Sequence, residues 1–553
     1  MVVSITFIVV YGAYKTKKNK TVNDYIKSGN DARWWTVGLS VMATQASAIT
    51  FLSTPGKAFQ DGMGFVQFYF GLPIAMVIIC MVFIPIYHRL KVYTAYEYLE
   101  SRFDKKTRIL TALLFLVQRG LSAGITIFAP SIILSAVLGW DLFTLNIIIG
   151  ALVIIYTVLG GTRAVSVTQK QQMGVIFSGM IIAFFVILNY LPENINFSNA
   201  LDIAASSGKM EILNFEFNFE DRYTVWTGII GGGFLALSYF GTDQSQVQRY
   251  LSARSVKQSQ IGMLFNGLLK VPMQFFILLV GIMVFVFYQF NSSPLNFNPA
   301  AVEAVENSSQ KAEFNILQNE LDQTFSAKKR RIEQMDVEGI STAKYEVLKA
   351  ELALLNQKEK KIRENARTII SEVDDNVETN DTDYVFIHFI LNNLPRGLIG
   401  LLLAAILSAA MSSTASELNA LASTTAIDIY KRNVKAEKTD LHFLNSSKLF
   451  TLAWGIMAIV VACLAPLFEN LIELVNIIGS IFYGNVLGIF LLAFFVKYVK
   501  SNATFLAAVI TQIVIVIMYF SLEDFPYLWL NLVGCGLVML LSIIFQTFKI
   551  TKK

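Results

Sequence analysis

Ser412, Ser416, Asn419 and Ser423 recur every three or four residues within Ala404–Tyr430, a stretch apolar enough to cross a bilayer. On a helix that spacing stacks their polar groups on one face, while Ala405, Ala409 and Ser413 keep the adjacent face small. Two readings fit these residues. Small side chains and hydroxyls that bond back to their own carbonyls serve close helix packing. Alternatively, the neighbouring oxygens of Ser412 and Ser413 join backbone carbonyls of a facing helix to cage a hard cation.

Two basic residues carry the other candidate chemistry. Arg119 and Lys270 each lie about eleven or twelve residues into an apolar run, where an ionisable group costs a few kcal/mol and usually has a function. Neither run holds an acid at comparable depth, and Asp243 and Glu417 fall nearer the ends of theirs. Cations without fixed partners imply that the solute is the partner, an organic anion held by its carboxylate. Snorkelling or an internal hydrogen-bond network is the structural alternative for each. Cys80, Cys463 and Cys535 sit inside apolar runs, and the three histidines are scattered. Neither a nucleophile–base pair nor a zinc spacing is present, so the sequence does not support an enzyme.

The elements that must position these groups are membrane spans. Of 553 residues, 54% are hydrophobic and only 15% charged, with a mean hydropathy of +0.53, too apolar for a soluble protein of this length. The fold class is all-α and polytopic, in contact with the lipid bilayer. Apolar runs predict about thirteen spans, at 1–13, 35–53, 65–87, 109–138, 142–159, 172–191, 223–242, 258–289, 384–426, 447–468, 471–497, 503–521 and 526–546. The first run is short and precedes KTKKNK, the reverse of a cleavable signal's basic start, which predicts an N-out anchor helix. With the N-terminus outside, the basic loops and the tail ITKK all fall on the cytoplasmic side and the acidic stretch from Glu193 to Asp221 falls outside. The net charge of +5 is small and the lysines and arginines sit mainly in short loops, which argues for topology and against nucleic-acid binding. The span 35–53 is interrupted by Gly38, Ser40, Thr44, Gln45 and Ser47, as in broken helices that line a midplane site.

Residues 291–383 are charged and heptad-like. Phe314, Leu317, Leu321, Phe325 and Ile332 mark one amphipathic helix, and Tyr345, Leu348, Leu352, Leu355, Ile362 and Ile369 a second. They predict an antiparallel hairpin outside the membrane, either a stability element or an arm for an extracytoplasmic partner. The expected organisation is therefore 1–33, an anchor helix and basic loop; 34–290, helices two to eight; 291–383, the hairpin insert; and 384–553, helices nine to thirteen with a short tail.

The run AAMSSTASELNALASTTAIDIY resembles the sodium/solute symporter family, as do GGGFLALSYFGTDQSQVQRYLSARS, PIYHRLKVYTAYEYLESRF and the loop GGTRAV. The second of these is nearest the branch that carries vitamins, monocarboxylates and iodide. The resemblance covers essentially every span and excludes the hairpin. It implies a LeuT-type five-plus-five inverted repeat with extra helices, in which both repeats begin with an interrupted helix. The interruptions would fall at Ala43–Ala46 and at Gly231–Gly233, where three glycines also weaken a helix.

Sodium-coupled symport of a small organic solute by alternating access follows from the resemblance, with Na+ as the coupling ion. It places sodium on the hydroxyls of Ser412 and Ser413 and the carbonyls of Ala43, Ala46 and Ala409. Gln169 stands where many relatives carry an aspartate associated with a second sodium or with coupling, which favours one sodium per substrate. The family's cavity would be lined by Gln45 and Thr50, by Gln67, Phe68 and Tyr69, and by Tyr239, which matches an aromatic that closes the inner side in a sugar-transporting relative or is an ordinary core aromatic. Lys270 aligns with a sugar-contacting lysine of that branch, so a sodium/sugar symporter is the alternative; Val475 replaces its glutamine and argues for an organic anion or sugar acid. A membrane sensor reporting through the hairpin is the rival from another class.

Overall fold

The computed structural model describes residues 32–335, 341–374, 377–433, 439–464, 470–522 and 525–548, with the side chains of 160–168, 170 and 171 left aside. The expected anchor helix at 1–13 lies outside the described residues. What is described is helical, and the helices start and stop where the sequence supplies caps. α1 (Trp34–Gln45) and α2 (Ala48–Asp61) are two halves of one span, bent by 60° at Ala46 and Ser47. α3 (Met63–Leu90) begins as a 3-10 turn up to Tyr69 and widens into a π turn at Ile79–Phe83. α4 (Lys105–Leu138) starts where the Asp104 carboxylate accepts from the Thr107 N–H and ends at Gly139, whose φ of +67° suits glycine.

α5 (Leu142–Asn189) carries two separate apolar spans, Leu142–Leu159 and Gln172–Asn189. Asn146 bonds the Ala462 carbonyl near the end of one helix, and Tyr190 meets Phe287 edge-on near the end of another. The chain continues through a π turn (Thr227–Gly231) into α6 (Gly232–Thr242), α7 (Gln244–Leu251) and the long α8 (Val256–Phe290).

In the insert, α9 (Lys311–Met335) and α10 (Thr342–Val373) pair along their length. Gln310 meets Glu372 at one end and Arg331 meets Glu351 at the other, an antiparallel register. Phe314, Leu321, Ile362 and Ile369 bury a small core with Leu295 and Val305 from the preceding segment. The apolar stripe explains that core, since each helix alone would leave it in water. α11 (Arg396–Thr424), α12 (Asp440–Leu464), α13 (Leu471–Phe495), α14 (Ser501–Ser521) and α15 (Tyr527–Thr547) complete the bundle.

Among the described residues, ten helices are long and apolar enough to cross a membrane, or eleven counting the bent α1–α2 pair. Large apolar side chains such as Leu268 and Phe520 stand about three-quarters exposed on the outside of the bundle, as lipid contact requires and water does not. The structure corrects two expected spans. The expected 384–426 span is divided by Pro395 into a short helix (Val385–Asn393) and α11, because proline favours the first turn of a new helix over continuation of the old one. The expected 223–242 span starts at 225 and is helical to 242, with a π turn at Thr227–Gly231 ahead of α6.

The second interruption also moves. Gly231–Gly233 are helical, and the chain unwinds instead at Asp243, whose φ and ψ of −76° and 120° separate α6 from α7. The glycines solve a packing problem. A Cβ at Gly228 would overlap the Gln67 carbonyl, and one at Gly232 the Phe68 carbonyl, so their absence lets the 3-10 start of α3 lie directly on this helix.

Candidate functional site

The break between α1 and α2 frees two carbonyls. The Ser47 N–H bonds Gln45 O at 3.0 Å and the Thr50 N–H bonds Ser47 O at 3.0 Å. The carbonyls of Ala43 and Ala46 therefore lose the donors that a continuous helix would give them four residues on. α11 passes this break, with Thr44 donating to Ser416 at 3.4 Å. One turn earlier on the same face, the Ser412 hydroxyl is buried and has no hydrogen-bond partner. Ser413 donates to the carbonyls of Ala409 and Ala410 at 3.2 and 3.1 Å, which leaves its lone pairs free to accept. All five residues expected at sodium are at most 3% exposed. Freed carbonyls and an unsatisfied hydroxyl, without a carboxylate, fit a weakly held monovalent cation.

Gln169 closes off the neighbouring position. Ser40 donates to its Oε1 at 2.6 Å, and its Nε2 lies 3.2 Å from both Thr44 and Ser416 oxygens. A neutral amide thus ties α5 to α1 and α11 where a carboxylate would have attracted a further cation.

A central cavity of about 90 Å³ opens beside the break. Gln45, Thr50, Phe68, Tyr69, Arg119, Tyr239 and Lys270 line it, seven of the eight residues expected to meet solute. Gln67 does not. Its amide donates to the carbonyls of Gly64 and Tyr223 and accepts from the Asn214 N–H at 2.9 Å, so it staples a loop on the insert side.

The two cations differ from each other, and one expectation is overturned. Arg119 has fixed partners. Its Nε reaches Asp243 at 3.1 Å and its Nη1 reaches Glu417 at 3.0 Å, while Nη2 bonds Asp243 and the Tyr483 hydroxyl. Tyr483 in turn donates to Asp243 at 3.0 Å, and Thr126 donates to Glu417 at 2.9 Å. The guanidinium also lies 5.3 Å from the centre of the Tyr239 ring. Depth counted along single helices misled here. Asp243 sits in the second break, and Glu417 lies one turn past Ser413 on the small-residue face of α11, so both acids reach the level of Arg119. Its spacing of one turn from Ser413 was the one available signal for Glu417; nothing in the sequence marked Tyr483.

Lys270 is 1% exposed, and its ammonium has no hydrogen-bond or ion-pair partner among the described residues. Its nearest group of note is the Tyr69 ring, 5.8 Å to the centroid, and the Tyr69 hydroxyl is already engaged by Gln274 at 2.5 Å. A buried charge left unpaired inside a cavity awaits a partner of opposite sign.

On the insert side, Lys57 of α2 pairs with Glu473 of α13 at 3.0 Å, and the Tyr223 hydroxyl bonds Glu473 and meets Tyr527 at 3.1 Å. These contacts tie the insert-side half of the broken helix to the rest of the bundle beside the cavity.

Comparisons with known proteins agree with this architecture. The profile of the Sodium:solute symporter family matches residues 25–325 and 368–511, omitting most of the insert's two helices. The human sodium-coupled monocarboxylate transporter 1 is 35% identical over 266 residues, 48% of this chain and 43% of that protein. The human sodium/iodide cotransporter is 33% identical over 273 residues, 49% of this chain and 41% of that one. The aligned segments thus span about two-fifths of the length of these human relatives. The sodium/sialic acid symporter of Proteus mirabilis is 25% identical over 539 residues, 95% of this chain and 90% of its own length. A solved structure of a Na+-coupled sialic acid symporter, substrate-bound and outward-open, superposes with a TM-score of 0.75 at 24% identity over 99% of this chain and 96% of the other, which establishes a shared LeuT-type fold. With its profile matched across both halves and its two broken helices facing one cavity, the chain belongs to the sodium:solute symporter family.

Proposed function

We propose that the protein carries a small organic anion across the cytoplasmic membrane together with sodium, by alternating access. The observation that carries this reading is Lys270, a fully buried ammonium without a partner on the wall of the central cavity. Arg119, Asp243, Glu417 and Lys270 sum to zero formal charge. Adding one Na+ and one monoanion keeps that sum, so co-binding costs less than binding either ion alone. Sodium between Ala43, Ala46, Ala409, Ser412 and Ser413 would hold the α1–α2 break against α11. That contact fixes the shape of the cavity wall bearing Gln45 and Thr50, and the bound anion neutralises Lys270 and permits closure.

Relatives named as monocarboxylate and sialic acid transporters support a carboxylate as cargo. In this reading the insert and the N-terminus lie outside and the C-terminus lies in the cytoplasm, which the bias of the basic loops to one side supports. Gln169 supports one sodium per cycle. The test is uptake of propionate and of N-acetylneuraminate into proteoliposomes under an inward sodium gradient, with potassium as control. Uptake of one of them that depends on sodium and is lost in Lys270→Met supports the reading. Equal uptake in sodium and potassium refutes sodium coupling, and undiminished uptake by Lys270→Met refutes the anchor.

A further inference from the structure

A second cavity, about 360 Å³, lies between the insert and the adjoining ends of α2 and α8. Its floor is aromatic, with Phe59, Phe285 and Phe297 in edge-to-face contact around 5.4–5.9 Å through Tyr288 and one another. Its walls carry five basic and four acidic side chains, but the acids are committed. Glu359 is shared by Lys328 at 2.7 Å and Arg363 at 3.1 Å, Asp381 holds Arg367 at 3.1 Å, and Asp61 is taken by Lys57 at 2.6 Å. Lys360 and Glu364 stand 4.0 Å apart.

Lys209 is left over. Its ammonium donates to the Gln60 carbonyl and sits 5.1 Å from the Phe285 ring, with no described carboxylate at ion-pairing distance. An ammonium has three N–H donors, so capacity remains. Two more groups on this wall are orphaned. The Ser207 hydroxyl and the Gln289 Oε1 are buried without partners, although Gln289 uses its amide N–H on the Phe285 carbonyl at 3.1 Å. One spare cationic donor, one hydroxyl and one amide acceptor converge over an apolar floor. Buried polar groups of this kind are normally satisfied, so the set is complementary to a ligand that carries an anionic and a hydroxyl group.

We propose that this cavity binds a small hydroxylated carboxylate, of the class carried by the central site, before it enters the transport path. The carboxylate pairs with Lys209, a ligand hydroxyl donates to Gln289 Oε1, and the carbon skeleton covers Phe285. The cavity adjoins the route inward. Asp61 lines both it and the wider vestibule of about 1060 Å³ above the central site, and Gly208, between the two wall residues Ser207 and Lys209, faces that vestibule. The choice of ligand class rests on the organic-anion reading of the central site; the existence of the second site does not.

The test is equilibrium binding of gluconate and of N-acetylneuraminate to the full-length protein in nanodiscs, in sodium and in potassium. The expected result is a component that persists in potassium and weakens tenfold or more in Lys209→Met and in Ser207→Val, with unchanged melting temperature. A sodium-dependent component is expected to survive those substitutions and to disappear in Lys270→Met. Absence of binding of both probes in potassium, or a potassium component indifferent to both Lys209→Met and Ser207→Val, overturns the proposal. A potassium component that follows Lys209 while the sodium component ignores Lys270 upholds this site and overturns the reading of the central one.

Discussion

Lys270 and Arg119 line one cavity with one sign of charge, yet replacing each by methionine is expected to move stability in opposite directions. Lys270 is buried and unpaired, and a lysine held at mid-membrane depth costs about 2.5–3.5 kcal/mol. Methionine keeps the stem and removes the charge, so Lys270→Met should stabilise the ligand-free protein by up to about 2–3 kcal/mol. Arg119 holds Asp243 at 3.1 Å and Glu417 at 3.0 Å. Arg119→Met strands both carboxylates and should cost about 3–5 kcal/mol. Thermal unfolding of the purified proteins in one detergent reads both effects without any ligand. With anion present, the order reverses in consequence. Loss of a buried charge-assisted contact costs about 2–5 kcal/mol. That is about 30- to 4,000-fold in affinity, so the anion-induced rise in melting temperature should vanish in Lys270→Met. If ligand-free Lys270→Met melts as far below wild type as Arg119→Met does, the ammonium has a partner of its own and the anchoring argument fails.

Ser413→Ala should raise the sodium concentration for half-maximal uptake at least tenfold while leaving melting in potassium within about 1 kcal/mol of wild type, since the hydroxyl only back-bonds to its own helix; unchanged sodium activation displaces the ion from this site. Gln169→Asp puts a carboxylate among three hydroxyls and should lift the Hill coefficient for sodium from about one toward two, read from uptake against sodium. Gly228→Ala drives a Cβ into the Gln67 carbonyl and should cost about 1–3 kcal/mol or more, seen as poor folding and early melting. In the insert, burial pushes the Glu359 carboxyl up, but Lys328 and Arg363 outweigh it and hold it at about 2. Its contribution to stability is complete above about pH 4.5 and is lost as pH falls toward 2, so hydrogen exchange in α9 and α10 should accelerate over that window before the membrane helices respond.

Much of the fold was legible because burial in lipid imposes one-dimensional rules. A span must be long and apolar, which fixed α4, α8, α13, α14 and α15 nearly to the residue, and the heptads of the insert fixed its two helices. The polar line through Ser412 and Ser416 and the broken stretch around Ala46 were visible for the same reason, since neither pattern suits lipid. Depth in an apolar run put Lys270 among the candidates for the cavity wall, and the family resemblance put Tyr69 and Tyr239 there.

What the chain could not announce was who stands opposite whom. Arg119 and Lys270 look alike in one dimension, and only tertiary packing gives the first two carboxylates and a phenol and leaves the second with none. The three glycines were expected to break the helix, but they are helical, with the Phe68 carbonyl of α3 where a Cβ of Gly232 would stand, while Asp243 carries the break. Gln67 turned to a loop because two of its three hydrogen-bond partners, Tyr223 and Asn214, lie there. Sequence periodicity reports which groups avoid lipid; the pairing of those groups depends on helix tilt, breaks and neighbours from distant segments, and exists only once the bundle has closed.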